Sequence, residues 1–170
     1  MKTVEWLKKA GSYVLILRVD AAVQLSIQIG RLGELAAQPG YYLYIGSAFG
    51  PGGVAARVQR HLRLHKRQHW HIDYLRPYTT PTAVWCTYDA QPREHLWASV
   101  CAQLPHVSRP MSGFGASDCH CDTHLFYSPH PPNAALFIEL VDEYAAAHGE
   151  IQIWVPQNKS SAGWEHIRLS

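Results

Sequence analysis

Residues 13–19 read Tyr-Val-Leu-Ile-Leu-Arg-Val, and residues 41–45 read Tyr-Tyr-Leu-Tyr-Ile. The first is a nearly continuous β-prone run and reads as a buried strand; the second reads as an aromatic-rich strand. Between them, Val23 to Ile29 alternates Val23, Leu25, Ile27 and Ile29 with Gln24, Ser26 and Gln28. That period of two is the mark of a half-buried strand. Asp20-Ala21-Ala22 would turn the chain from the first strand into it, and Pro39-Gly40 breaks the chain before Tyr41.

Working outward, Gly46 to Gly53 (GSAFGPGG) is a glycine-rich loop. A helix is expected after it, with Val54, Val58 and Leu62 as its core stripe, Arg57 and His61 beside that stripe, and Arg60, Arg63 and Arg67 further out. Pro77 and Pro81 bound a loop, and Ala83 to Tyr88 reads as another strand. Pro92 opens a helix carrying Leu96, Val100 and Leu104. Asn133 has the chemistry of an N-cap for a helix carrying Leu136, Phe137, Leu140, Val141 and Tyr144, which Gly149 would end. Ile151 to Val155 reads as a short last strand, and the polar tail from Gln157 as loose chain. The expected class is α+β: a small mixed sheet flanked by helices, over residues 1–130 with a Cys/His-containing extension, and a helix–strand addition over residues 131–170 packed on the same domain.

The 170 residues are 47% apolar and 16% charged, enough to bury a core and too few charges for a disordered chain. No apolar run reaches the ~18 residues that a membrane span needs, so no membrane partner is expected. The first ten residues do not have the order of a signal peptide, so the expected location is cytoplasmic and the four cysteines are expected to be reduced. The net charge is only +2, but it is unevenly spread. No acidic residue occurs between Glu34 and Asp73, a stretch holding Arg57, Arg60, Arg63, Lys66 and Arg67. Such a patch is the footprint of a polyanion, and Arg60, Arg63, Lys66 and Arg67 are its candidate nucleic-acid contacts; the plainer reading is a solvated helix face. The glycine-rich loop could cradle phosphate at a helix N-terminus. It lacks the Gly-Lys-Ser/Thr ending of a nucleotide-binding loop.

Gly11-Ser12-Tyr13 opens the first strand and Tyr44-Ile45-Gly46 closes the aromatic one, followed by Ser47-Ala48 and Arg57-Val58-Gln59-Arg60-His61. In this order the motifs resemble the GIY-YIG nuclease superfamily. His69 to Leu75 (HWHIDYL) and Gly113 to Cys119 (GFGASDC) look like the branch also found fused to endonuclease III-type proteins. The likeness covers roughly residues 11–127. It departs in the first motif, which reads Gly-Ser-Tyr, and in the long insert that the Val23 to Ile29 strand fills.

The resemblance implies a metal-dependent endonuclease that hydrolyses phosphodiester bonds of nucleic acid, DNA before RNA. Tyr13 and Tyr44 would help to deprotonate water. An ordinary tyrosine hydroxyl has a pKa near ~10 and needs a cationic neighbour to do so, for which Arg57 is the candidate. His61, one turn after Arg57, could share the site. His69 looks like a further catalytic histidine, and Glu94 like the metal-binding glutamate, suited to Mg2+ or Mn2+. Each has a plainer role as strand aromatic, ion-pair partner, buried helix residue or helix-start carboxylate. The alternative of another class is a binding module that keeps the fold without turnover. Separately, Cys119, Cys121 and His124 could hold structural zinc with Cys86 or Cys101 as a further ligand, against a packed turn with free thiols.

Overall fold

The computed structural model describes residues 6–22, 24–157 and 163–169. Its class is α+β. Among the described residues, eight strands run in the order β1 (Ser12–Val19), β2 (Leu25–Ile29), β3 (Gly33–Ala37), β4 (Gly40–Ser47), β5 (Thr80–Thr87), β6 (Leu125–Ser128), β7 (Ile151–Pro156) and β8 (Trp164–Ile167). The helices are α1 (Gly53–Leu62), α2 (His71–Leu75), α3 (Glu94–Cys101) and α4 (Ala134–Tyr144), with a short 3-10 turn at Arg76–Tyr78 after α2.

Six strands form one sheet in the order β6-β4-β1-β5-β7-β8. Every pairing in it is antiparallel, so the sheet is not mixed as expected from the sequence. The apolar run of β1 has its cause here. Both edges of β1 are taken by β4 and β5, and both of its faces are covered. Tyr13, Leu15, Leu17 and Val19 face a core shared with α1, α2 and the β2–β3 hairpin. Val14 and Ile16 face a second core built on Trp97, Val100, Cys101, Phe137 and Val141 of α3 and α4. The result is three layers, with the sheet in the middle.

Several expectations are corrected. Asp20-Ala21-Ala22 does not close a β1–β2 hairpin: β1 has no free edge, and β2 pairs with β3 in a sheet of its own. Val23 lies outside the described residues. Pro81 is part of β5 rather than a loop boundary, and sits at a register shift opposite Ile16 and Leu17, where a residue without an N–H is tolerated. Helix α4 is capped by Asn133, whose side chain accepts from the Leu136 amide, but ends at Tyr144 and not at Gly149. Residues 164–167 of the supposedly loose tail are β8, paired to β7; residues 158–162 and 170 lie outside the described residues. The elements α2, β3 and β6 are additions to those expected from the sequence.

Helix α1 also ends sooner than the run of basic residues. Arg63 is extended, and residues 63–70 form a loop that returns to α2. This return is organised by Asp73, whose side chain is fully buried. Its carboxylate accepts two bonds from the Arg60 guanidinium, both 3.0 Å, and bonds from the amides of His69 (2.8 Å) and Trp70 (3.0 Å). The Lys66 ammonium lies 3.6 Å away and donates to the Arg60 and His61 carbonyls at the end of α1. Arg76 donates to the His61 and Leu62 carbonyls, completing the C-terminal cap.

Removing one partner of a buried ion pair strands the others. Asp73→Ala is therefore expected to lower unfolding free energy by about 3 kcal/mol in urea titration. A loss under about 1 kcal/mol, the range of exposed pairs, would show that the cations do not depend on it.

Candidate active site

The start of β1, the end of β4 and the starts of α1 and α3 meet at one corner of the sheet. Ser12 Oγ accepts from the Arg93 amide (2.9 Å), which sets the first residue of α3, Glu94, beside the start of β1. The Ala48 amide donates to the Gly11 carbonyl (2.8 Å) on the other side of that strand. The corner encloses a cleft of about 200 Å³ whose walls include Tyr13, Tyr44, Arg57, Trp70, Glu94, Asp118, Cys119 and His124. Of the residues singled out in the sequence, Tyr13, Tyr44, Arg57 and Glu94 are thus brought together.

The β1–β4 register explains the two tyrosines. Tyr13 pairs with Gly46 and Leu15 with Tyr44, so both phenols lie on one face of the sheet. The Tyr13 ring lies directly over Gly46, where any Cβ would overlap the phenol. Behind the cleft, Tyr13 Oη and His61 Nε2 share a buried 2.7 Å hydrogen bond. The His61 ring is also 5.7 Å from that of Tyr44, edge on. His61 Nδ1 is buried without a hydrogen-bond partner among the described residues.

Burial dominates the protonation of these groups. It raises Tyr13 well above the ordinary tyrosine range, reinforced by Tyr44 and opposed by Arg57. It raises Tyr44 likewise, again against Arg57. Burial and the nearby Lys66 bring His61 down to about 3, with Asp73 opposing. At neutral pH both phenols keep their protons and the imidazole is neutral. Arg57 therefore acts in the expected direction but does not make either tyrosine a free base. Asp73 is the opposite case: burial would raise it, yet the Arg60, Trp70 and His69 bonds bring it down to about 2.

Arg57 is held by a residue that the sequence reading did not single out. Its guanidinium lies 4.3 Å from the centroid of the Trp70 ring, and that of Arg60 lies 4.2 Å from the same ring. Cation–π contacts of this kind contribute on the order of 1 kcal/mol each and fix direction more than affinity. The basic residues divide accordingly. Arg60 and Lys66 are engaged with Asp73, whereas Arg63 and Arg67 lie in the loop after α1, on its solvent side. His69 is exposed, its ring against Trp70, and is not among the cleft-lining residues. The neighbouring His71 is used instead, accepting from the Gly115 amide (2.9 Å) and so fastening α2 to the loop before β6.

The glycine-rich loop is not a phosphate cradle. The first free amides of α1 are already bonded: Val54 to the Lys9 carbonyl (2.9 Å) and Ala55 to the Leu7 carbonyl (3.1 Å). Gly53, at φ 57°, lets the Lys9 backbone approach where a side chain would collide.

One wall of the cleft carries a group of donors that could hold a metal ion. His95, Cys119, Cys121 and His124 present ligand atoms all within 4.8 Å of one another. Cys86 and Cys101, the expected outside ligands, are buried in the two cores. His95 on α3 takes that place.

The sequence profile of the family described as domain of unknown function DUF123 matches residues 12–146. The chain belongs to this family. The match spans the cleft tyrosines, Arg57, Glu94 and all four Cys/His donors. No curated protein and no solved structure matches the chain. No helix among the described residues is long and apolar enough to cross a membrane.

Trp70, His71 and Asp118 lie in stretches quoted from the sequence without a role for them, and His95 was passed over. For the first two a signal existed: Asp73 is the acid that ends the acid-free stretch, and a lone carboxylate beside so many cations marks where they converge. Asp118 adjoins Cys119 in the chain, whereas only the fold brings His95 to Cys121, 26 positions away.

An unfolded histidine titrates near ~6.5, and His61 in the folded chain near 3. Between these values the unfolded chain binds one proton more. The stability that depends on neutral His61 is therefore complete above pH ~6.5 and is lost as pH falls toward 3. His61→Gln should flatten the fall in unfolding free energy in this window by up to about 1.4 kcal/mol per pH unit, the slope of one proton, in urea melts of both proteins. Parallel curves would mean that His61 is protonated in the folded state.

Proposed function

We propose that this protein is a metal-dependent endonuclease of the GIY-YIG type, hydrolysing phosphodiester bonds of nucleic acid, with DNA as substrate and Mg2+ or Mn2+ as cofactor. The observation that carries this reading is the convergence of Tyr13, Tyr44, Arg57 and Glu94 on one cleft, with His61 bonded to Tyr13 behind it. The choice of DNA rests on the resemblance of the motifs to nucleases.

The donors in the cleft fit a hard cation. Glu94 offers a carboxylate whose side chain is 24% exposed, and a single carboxylate with water and substrate oxygens is a usual Mg2+ environment. The metal, when bound, would supply Lewis-acid stabilisation of charge on the phosphate. The chain's own groups do the rest. Tyr13 receives a proton from the attacking water while passing its own to His61 Nε2, in the tautomer that leaves this nitrogen bare; as the water oxygen bonds to phosphorus, the P–O bond to the leaving ester oxygen breaks and that oxygen takes a proton from solvent. The negative charge of a bound phosphodiester raises the basicity of the imidazole at that moment. Tyr44 offers a second hydroxyl to water or phosphate. Arg57, aimed by Trp70, offsets charge on the phosphorane-like transition state. The exposed Arg63 and Arg67 would meet the substrate backbone, in contacts that position it without reading its sequence.

The test is a cleavage screen over single- and double-stranded DNA and RNA with Mg2+, Mn2+ or chelator. Metal-dependent cleavage of DNA supports the proposal; binding without cleavage of any substrate would identify a non-catalytic nucleic-acid-binding module. Glu94→Gln is expected to abolish metal-dependent cleavage with binding nearly unchanged. Tyr13→Phe and Arg57→Ala should each lower single-turnover cleavage by about 10² to 10⁴, and the double variant by far less than the product. Multiplicative losses would show that the two act separately.

Replacing Arg63 and Arg67 by Ala should reduce the log–log salt slope of nucleic-acid binding by roughly 0.7 to 0.9 for each phosphate that is no longer neutralised. An unchanged slope would move the binding face elsewhere.

A further inference from the structure

We propose that His95, Cys119, Cys121 and His124 bind one structural zinc ion, which staples the loop before β6 to the start of α3. The donors already form two close pairs: His95 Nδ1 to Cys121 Sγ at 2.9 Å, and Cys119 Sγ to His124 Nε2 at 3.3 Å. Tetrahedral zinc with Zn–S near ~2.3 Å and Zn–N near ~2.0 Å sets its ligand atoms roughly 3.3 to 3.8 Å apart. Adjustments of about an ångström in side chains bring all four atoms, now within 4.8 Å, to that spacing.

Donor chemistry selects the metal. Two thiolates with two imidazoles suit zinc, and their softness disfavours the magnesium proposed for Glu94. Four protein ligands also close the coordination sphere, which is the pattern of a structural rather than a hydrolytic site.

The surroundings give the ion something to do. His124 is buried and fixed at both ends of its backbone, its amide donating to the Phe114 carbonyl (2.8 Å) and its carbonyl accepting from Ile45 (3.0 Å). Cys119 and Cys121, by contrast, sit in an irregular turn, and His95 projects from the exposed side of α3. The ion would tie the turn and the helix to the fixed His124. The outer ring nitrogen of His95 lies 3.7 Å from the Glu94 carboxylate, so the tie would reach the cleft.

The experiment reads metal, not cleavage, so it stands or falls apart from the proposed activity. The full chain is purified without chelator under reducing conditions and its zinc content measured by mass spectrometry. The metal-free protein is then titrated with Co2+. We expect one zinc per chain and the visible spectrum of tetrahedral cobalt with thiolate ligands. His95→Ala should lose the metal, Cys101→Ser should keep it, and His95→Cys should keep it with stronger thiolate-to-cobalt absorption. His95 lies outside both cores, so its substitutions remove nothing from them, and Cys101→Ser exchanges one sulfur for one oxygen inside the second. Failure of the reduced parent protein to take up Zn2+ or Co2+ would overturn the proposal. So would a His95→Cys spectrum identical to that of the parent.

Discussion

One buried carboxylate, Asp73, decides where the positive charge of this molecule sits. Left alone, the cations between Arg57 and Arg76 would repel one another and extend into solvent. With Asp73 among them, Arg60 and Lys66 fold inward, and the chain after α1 turns back so that Trp70 is placed between two guanidinium groups. Arg57 then faces the cleft, because the tryptophan and the pair formed by Arg60 fix its surroundings. A strongly basic stretch thereby separates into a buried structural half and a solvent-facing half at Arg63 and Arg67.

The cleft depends on a second constraint, which is steric. β1 is paired at both edges and covered on both faces, so nothing in it can shift without moving a whole core. Its first aromatic residue nevertheless needs room for a phenol to lie flat against the neighbouring strand. Gly46 leaves that room, and the hydroxyl can then meet His61 from α1. The sheet, the helix and the cleft are joined at this one hydrogen bond. Burial keeps both partners neutral, so at neutral pH the pair is an uncharged hydrogen bond.

Hard and soft donors stand side by side along one wall. Glu94 turns its oxygen to the cleft, while its neighbour His95 turns toward two thiols and a second imidazole. Adjacent residues on a helix point about 100° apart, which is how one helix start serves two kinds of chemistry.

Hydrophobic period and breakers were enough to find most elements. The continuous run of β1 announces burial on two faces, the stripe of Val54 and Val58 announces α1, and Asn133 announces the start of α4. The resemblance of the motifs singled out Tyr13, Tyr44, Arg57 and Glu94, and the fold brings these four to one cleft. What the sequence could not fix was partnership. Whether β1 pairs with β2 or with β4 and β5 depends on which edges are free once the whole sheet has formed, and β6 arrives from residues 125–128 to complete it. Whether a basic residue meets solvent or a carboxylate depends on a loop closing over 13 positions, from Arg60 to Asp73. Whether Cys121 finds a fourth donor in Cys101 or in His95 depends on the rotation of α3, which the packing of Trp97 and Val100 into the second core sets. Local propensity and pattern act over a few residues and are written in the chain. Edges, charges and ligands are shared between distant residues, and only the closed fold assigns them.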